Sequence, residues 1–255
     1  SGGIFLNMIM NMKIQQKFGD KLHLFFNPVC SDHGNAIGAA LEEYHQKTGK
    51  NPIPPYMSLY LGSSYSDEEI LFSTKKFNFK VNKVNKVDTA IDLIESGKVI
   101  GWFQGRSEFG PRGLGNRSIL ALPTEQKYKD KVNEKVKKRE SWRPFCPTII
   151  EEKSSKFLKD PSYAPYMILG FEMKNPELYP AVIHVDGTCR PQILKKDDNP
   201  DFHQVVKGLD GIILNTSFNL AGDPIVETPY DALMTLKNSE MDAILMNDFL
   251  IERCT

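Results

Sequence analysis

The sequence predicts a mixed α/β fold. Three observations carry that expectation. Apolar runs of strand length alternate with stretches of helical spacing from residue 77 to residue 252. Glycine, serine or asparagine–proline signals punctuate most of these segments. The composition, 40% hydrophobic and 25% charged, is that of an ordinary globular protein. A chain of 255 residues accommodates one large domain, or one domain and part of another.

Residues 1–50 read as a separate piece. After a glycine turn, residues 5–17 are helix-compatible, residues 23–26 form a short strand ended by Asn27-Pro28, and residues 35–47 form a helix with Ile37, Ala40, Leu41 and Tyr44 on one face. Gly49 then stops that helix. The chain starts abruptly inside what reads as a structural motif, so residues upstream of Ser1 are expected. Residues 51–65 hold three prolines without periodicity and read as a linker. Residues 66–255 form the second domain, opened by the capping-box pattern Ser66-Asp67-Glu68-Glu69.

Within that domain residues 77–84 alternate as a strand, 88–96 are a helix stopped by Gly97, and 98–104 and 118–122 are strands. A charged helix at 124–138 carries Tyr128, Val132 and Val136 on one face. Strands are expected at 148–150, 165–173, 181–185 and 192–195, a helix at 201–207, a strand at 211–216, a helix at 228–237 and a last strand at 243–252.

Composition narrows the function. Lys+Arg and Asp+Glu both number 32, which gives no global field for nucleic acid or membrane. No apolar run approaches the length of a membrane span, and residues 1–14 lack the charged segment of a signal peptide. Cys30, Cys146, Cys189 and Cys254 are too far apart for a zinc knuckle and read as free thiols of a reducing cytoplasm.

Five stretches carry the chemistry. Residues 105–118 hold four glycines and Arg106, Arg112 and Arg117. Glycines let backbone N–H groups approach an anion and arginines match phosphate geometry in pairs of bonds, although a solvated loop has the same polarity. The spacing is neither that of a P-loop nor that of a dinucleotide fingerprint. Lys137, Arg139 and Arg143 follow a helix end, where Lys138 would also be favoured by the macrodipole, and Trp142 with Pro144-Phe145 reads as an anchored turn. Asn215, Ser217 and Asn219 follow an apolar strand, as in a crevice at the carboxyl ends of a sheet or in a plain strand-to-loop transition. Alternation places His184 and Asp186 on one strand face; a core hydrogen-bonding role is the commoner fate of such a histidine, and Arg190 is the better anion ligand. Asp32, opening the helix of residues 35–47, is an N-cap candidate, and no H-E-x-x-H or close histidine pair accompanies it.

Together these stretches resemble the nodulation-type and antibiotic O-carbamoyltransferases, in their C-terminal portion. The resemblance rests on SGGIFLN, SDHGNAIGAAL, YLGSSYSDEEI, GWFQGRSEFGPRGLGNRSIL, KKRESWRPFCPTI, HVDGTCRPQ and LNTSFNLAGDPIVETPYDAL, and so runs from Ser1 to about Arg253. It implies the tail of an actin-like (ribonuclease H-like) transfer domain in 1–50, followed by a YrdC-like open twisted sheet over a cationic concave surface. It further implies that the YrdC-like domain makes carbamoyl adenylate and pyrophosphate from carbamoyl phosphate and ATP with Mg, and that the actin-like domain passes the carbamoyl group to a hydroxyl of a small molecule. By motif, Lys137 and Arg139 match a K-x-R pair and Ser217 and Asn219 an S-x-N pair. Lys137, Arg112 and Arg143 are then the catalytic candidates, with Arg106, Arg117, Arg139, Arg190, Ser217, Asn219, Gly2, Gly3 and Asn7 on the nucleotide and substrate side. Asp32 matches a metal-binding aspartate, the metal expected being iron.

This sequence departs from the family pattern in having no upstream histidine segment to complete that metal site, so the chain alone is expected to stop short of transfer. Neutral charge argues against nucleic acid as a partner, and a homodimer is the oligomer the resemblance allows. Two other readings stay open: a threonylcarbamoyl-adenylate synthase and a non-catalytic nucleotide-binding module.

Overall fold

A computed structural model of the chain describes residues 2–51 and 58–254, so part of the expected linker, residues 52–57, lies outside the described residues. Its frame is an eight-stranded sheet. The strands are β1 (Phe79–Lys83), β2 (Ile100–Phe103), β3 (Arg117–Ala121), β4 (Cys146–Ile150), β7 (Gln192–Leu194), β8 (Ile212–Ser217), β9 (Ala243–Met246) and β10 (Phe249–Arg253), in the order β1-β10-β9-β2-β3-β8-β4-β7. The pairs β2–β9 and β4–β7 are parallel and the others antiparallel. A two-stranded ribbon, β5 (Phe171–Glu172) with β6 (Thr188–Cys189), stands beside it.

Helices cover both faces, because the central strands are buried at every position rather than at alternate ones: β2, β3, β4 and β9 are buried throughout and mostly apolar. On one face α4 (Lys86–Glu95) and α7 (Pro200–Gly208) pack Ala90, Ile94, Phe202, Val205 and Val206 against Ile100, Trp102, Leu120 and Leu245. On the other, α3 (Asp67–Thr74), α8 (Pro229–Asn238) and α5 (Gln126–Asp130) bring Ile70, Leu233, Leu236 and Tyr128 onto Phe103, Ile119 and Ile244. The capping box at Ser66 forms as expected, and Gly97 and Gly49 take the left-handed backbone of helix stops.

Several elements differ from the expectation. The charged helix is α-helical only through Asp130 and then widens to a π-helix over Lys131–Lys137. The last strand is a hairpin, since Asn247 adopts φ 48° and turns β9 back into β10. No strand forms at 181–185, where the chain turns, and of 165–173 only Phe171–Glu172 forms a strand, next to an isolated bridge of Met173 to Leu158. Residues 23–26 lie outside any strand, Leu24 and Phe26 being only half-buried and without a ladder to join. The first segment instead folds as α1 (Met8–Phe18) and α2 (His33–Thr48). Of the face expected on α2, Ile37 and Leu41 are half-buried while Ala40 and Tyr44 are exposed.

This first segment is seated on the sheet domain at two places. The Asn11 amide, fully buried, donates to Phe5 O (2.7 Å) and Ile168 O (2.8 Å), and Val29 packs with Leu114, Cys146 and Met167. Residues 58–65 run alongside 106–109: Phe109 N–H donates to Leu59 O (2.7 Å), Gly62 N–H to Ser107 O (2.9 Å) and Ser107 N–H to Ser63 O (3.0 Å). The approach at Gly62 is so close that a Cβ there would sit 1.7 Å from Ser107 Oγ. Gly62→Ala is therefore expected to cost about 1–3 kcal/mol, read as a lower denaturation midpoint at an unchanged slope.

Candidate functional site

The second half of the glycine-rich loop between β2 and β3 turns its amides inward. It closes around its own carboxylate: Glu108, buried, accepts from Leu114 N–H (2.6 Å), Asn116 N–H (2.8 Å) and Arg117 N–H (3.1 Å). Gly115 makes the tightest point of the loop, at φ 107°, where a Cβ would meet the Phe202 ring at 2.2 Å. The N–H groups of Leu114, Gly115, Asn116 and Arg117 are thus already occupied, that of Gly115 by Ser118 Oγ (3.0 Å).

Two of the three arginines of this loop donate to backbone carbonyls. Arg117 is fully buried, stacks on Phe103 (3.6 Å to the ring centroid) and donates to Gln104 O (2.6 Å), Asn116 O (3.1 Å), Ser63 O (3.1 Å) and Gly105 O (3.2 Å). Arg106, though exposed, donates through Nε to Gly62 O (2.8 Å) and through its terminal nitrogen to Leu61 O (2.7 Å). Both guanidiniums fasten residues 61–63 to the loop. Glu227 reinforces this by accepting from Ser63 N–H (3.0 Å) and Ser107 Oγ (2.5 Å).

The third, Arg112, is different. Its Nε is buried and has no hydrogen-bond partner. Burial, then the neighbouring Arg190, pushes its pKa down to about 10. Arg190 in turn donates from two nitrogens to Cys146 Sγ (3.2 and 3.1 Å), at the start of β4. Arg139 stacks on Phe145 (4.6 Å) and donates through Nε to Asn133 Oδ1 (2.7 Å); burial, then Arg143, lowers it to about 10 as well.

Lys137 ends the π-helix with its ammonium buried. It donates to Ser217 O, to Ser217 Oγ (3.2 Å) and to Asn219 Oδ1 (2.5 Å), using all three N–H bonds to hold the turn that ends β8. Burial, followed by Arg139 and Arg143, pulls its pKa well below the ordinary lysine value. The K-x-R and S-x-N pairs are thus brought together, with Lys137 joining one directly to the other. Ser217 Oγ also donates to Asn219 Oδ1 (2.8 Å).

The outcome is two groups of cations, Arg112 with Arg190 and Lys137 with Arg139 and Arg143, that meet at Cys146, which lies within electrostatic reach of both Arg112 and Arg139. The register that sets Cys146 opposite Asn215 places the start of β4 beside the end of β8 and so gathers these groups. Beneath them Asn215 Nδ2 donates to Thr148 Oγ1 (3.0 Å), and Gln192 Nε2 to Leu114 O (2.9 Å). Among the described residues one ion pair reaches the five cations, Glu140 with Arg143 at 3.7 Å, and it is exposed. Repelling cations held together with one exposed carboxylate beside them are arranged to receive an anion.

The remaining expected residues lie elsewhere. His184 is in a turn rather than a strand, its Nδ1 3.1 Å from Thr188 Oγ1, and burial with Arg190 nearby lowers its pKa. Asp186 accepts from Thr188 Oγ1 (2.6 Å), so the pair braces a turn. Asn7 caps α1, accepting from Met10 N–H (3.1 Å), and Gly2 and Gly3 are exposed. Asp32 precedes α2 but its side chain makes no cap bond; Ser31 Oγ pairs with His33 Nδ1 instead (2.6 Å). Among the described residues no group of three or more His, Cys, Asp or Glu side chains could hold a metal. The part of the first segment that does reach the crevice is Cys30, buried close to Arg112.

Three site residues escaped the sequence reading. Glu108 and Asn133 look like ordinary polar residues of a loop and a charged helix, and Cys146 like a strand cysteine. Asn133 carried a usable signal, since it sits four residues before Lys137 next to the apolar positions Val132 and Val136, a polar pair on the buried side of a helix.

The comparisons fit this geometry. Residues 91–253 match the family model described as Carbamoyltransferase C-terminus, a span holding all five cations. The chain is 35% identical over 99% of its length to the nodulation protein NolO of Bradyrhizobium diazoefficiens, covering 48% of that protein. It is 30% identical over 97% of its length to the 3'-hydroxymethylcephem-O-carbamoyltransferase of Streptomyces clavuligerus, covering 47% of it. It thus spans about half the length of these relatives. Among solved structures, full-length HypF in its phosphate- and nucleotide-bound form superposes with a TM-score of 0.50 at 17% identity, over 69% of this chain and 23% of HypF, which supports the expected fold. With the family model covering well over half of its residues and NolO aligned across nearly all of them, the chain belongs to the carbamoyltransferase family.

Proposed function

We propose that this chain carries the adenylate-forming half of an ATP-dependent O-carbamoyltransferase, with the cationic crevice as its phosphate site. The observation that carries this reading is the gathering of Arg112, Lys137, Arg139, Arg143 and Arg190 almost without carboxylates. Carbamoyl phosphate and ATP are both anions and repel in water; a preorganised cluster of guanidiniums lets them approach. The atoms balance in two steps. Water first takes the phosphoryl group from carbamoyl phosphate, leaving carbamate and phosphate. A carbamate oxygen then attacks the α-phosphorus of ATP, the bond from that phosphorus to the bridging oxygen breaks, and pyrophosphate leaves.

In this reading Arg139, Arg143 and Arg190 hold phosphate oxygens and Arg112 offers its unpartnered Nε. Lys137 acts on the turn of Ser217 and Asn219, keeping their side chains in place. Magnesium bound to the nucleotide would supply neutralisation of phosphate charge beside these guanidiniums. The described residues do not complete a second metal site at Asp32, so transfer to a hydroxyl-bearing acceptor is assigned to the rest of such a transferase.

A mass-spectrometric assay separates this from threonylcarbamoyl-adenylate synthesis. The protein is incubated with ATP and either carbamoyl phosphate or threonine with bicarbonate. Carbamoyl adenylate in the first mixture is expected. Threonylcarbamoyl adenylate in the second, with none in the first, would overturn the reading. A binding-only module would release pyrophosphate no faster in the native chain than in Lys137→Ala.

A further inference from the structure

The turn that joins Arg139 to Arg143 is held more firmly than its exposure suggests. Asn133, fully buried, donates through Nδ2 to Ser141 O (3.1 Å) and Arg143 O (3.0 Å), the carbonyls on either side of Trp142. The same amide accepts from Arg139 Nε, and Asn133 O accepts from Arg139 N–H (3.0 Å). Lys138 enters the turn with φ 53°, a left-handed backbone that a lysine rarely adopts, and Pro144 closes it. One side chain therefore fixes the backbone on both sides of residue 142.

On this pinned turn Trp142 is 73% exposed. The chain's other tryptophan, Trp102, is 1% exposed, with its indole N–H on Gly115 O (2.8 Å). A large aromatic face kept in water on a stiff turn, beside a cation cluster, is already ordered for a flat ligand.

We propose that Trp142 is the stacking platform for the purine base of the nucleoside triphosphate whose phosphates occupy the cations. The inference rests on the phosphate-site reading above and adds the part of the ligand which that reading leaves unplaced. Arginines cannot distinguish a nucleotide from inorganic polyphosphate; an indole can, because every base offers a π face. Asn133 is then a positioning residue, setting Arg139 and Trp142 from one amide so that base and phosphates meet their partners together.

Tryptophan fluorescence tests this directly, because one of the two indoles is buried and the other exposed. The chain and its Trp142→Leu and Trp142→Phe variants are titrated with Mg·ATP and with inorganic tripolyphosphate, affinities being taken from calorimetry. In the native chain ATP should quench the emission and tripolyphosphate should not. Trp142→Leu should lose the quench and bind ATP about tenfold more weakly, with tripolyphosphate affinity unchanged. Trp142→Phe, which keeps a flat ring, should recover most of that loss. Equal ATP affinity in native chain and Trp142→Leu would overturn the platform while leaving the phosphate site standing. Failure of tripolyphosphate to bind the native chain would overturn the phosphate site and the platform with it.

Discussion

Replacing Glu108 with alanine should destabilise the chain by about 3–5 kcal/mol, lowering its melting temperature by roughly 10 °C. The carboxylate is the core around which residues 108–117 fold. Its removal leaves the N–H groups of Leu114, Asn116 and Arg117 without their acceptor and takes the nearby negative charge from the fully buried Arg117. Each orphaned buried donor costs about 1–3 kcal/mol. Glu108→Gln should fall between the two. It keeps the oxygen facing Leu114 and Asn116 but can set an amide N–H against the N–H of Arg117. Circular dichroism melts at pH 7 measure both. A Glu108→Ala melt within about 2 °C of the native chain, where about 1 kcal/mol would suffice, would contradict the assignment of Glu108 as the organiser of the loop.

Arg139→Ala should instead leave the fold nearly intact and remove activity. Its guanidinium makes one hydrogen bond, to Asn133, and lies on Phe145 at the edge of the crevice. Loss of one preorganised donor from the site where phosphate charge develops is expected to lower adenylate formation about 10²- to 10³-fold. The same cluster sets the pH dependence of anion binding. Burial and neighbouring cations depress Lys137, Arg112 and Arg139, so each binds its proton less firmly in the free protein. A bound pyrophosphate raises these values again. As pH approaches about 10, the value to which Arg112 and Arg139 are lowered, binding should therefore take up protons and weaken, and in Arg139→Ala the uptake should shrink. Calorimetry in buffers of different ionisation enthalpy measures it; proton release on binding would contradict the charge arrangement.

The strands and helices around the cations could be read from the sequence because they obey local rules. The capping box at Ser66, the stop at Gly97 and the apolar runs of β2 and β9 act within a few residues. The K-x-R and S-x-N pairs were legible by motif, and the structure joins them through Lys137. The carbonyl partners of Arg106 and Arg117 were not legible, for a physical reason. A guanidinium on a glycine-rich loop has the same composition whether it faces a phosphate or backbone carbonyls, and only the path of residues 61–63 decides. The π-helical widening before Lys137 was hidden because its apolar spacing also fits an α-helix. Trp142 was legible as part of an anchored turn, but the anchor is Asn133 from the preceding helix.

The most direct test of the central claim is incorporation of labelled pyrophosphate into ATP by this chain, which reads formation and reversal of the adenylate without any acceptor. With carbamoyl phosphate present the exchange should proceed, without it the exchange should be absent, and in Arg139→Ala it should fall at least about a hundredfold. Exchange that ignores carbamoyl phosphate, or that survives Arg139→Ala unchanged, would contradict the assignment of the crevice as the adenylate-forming site.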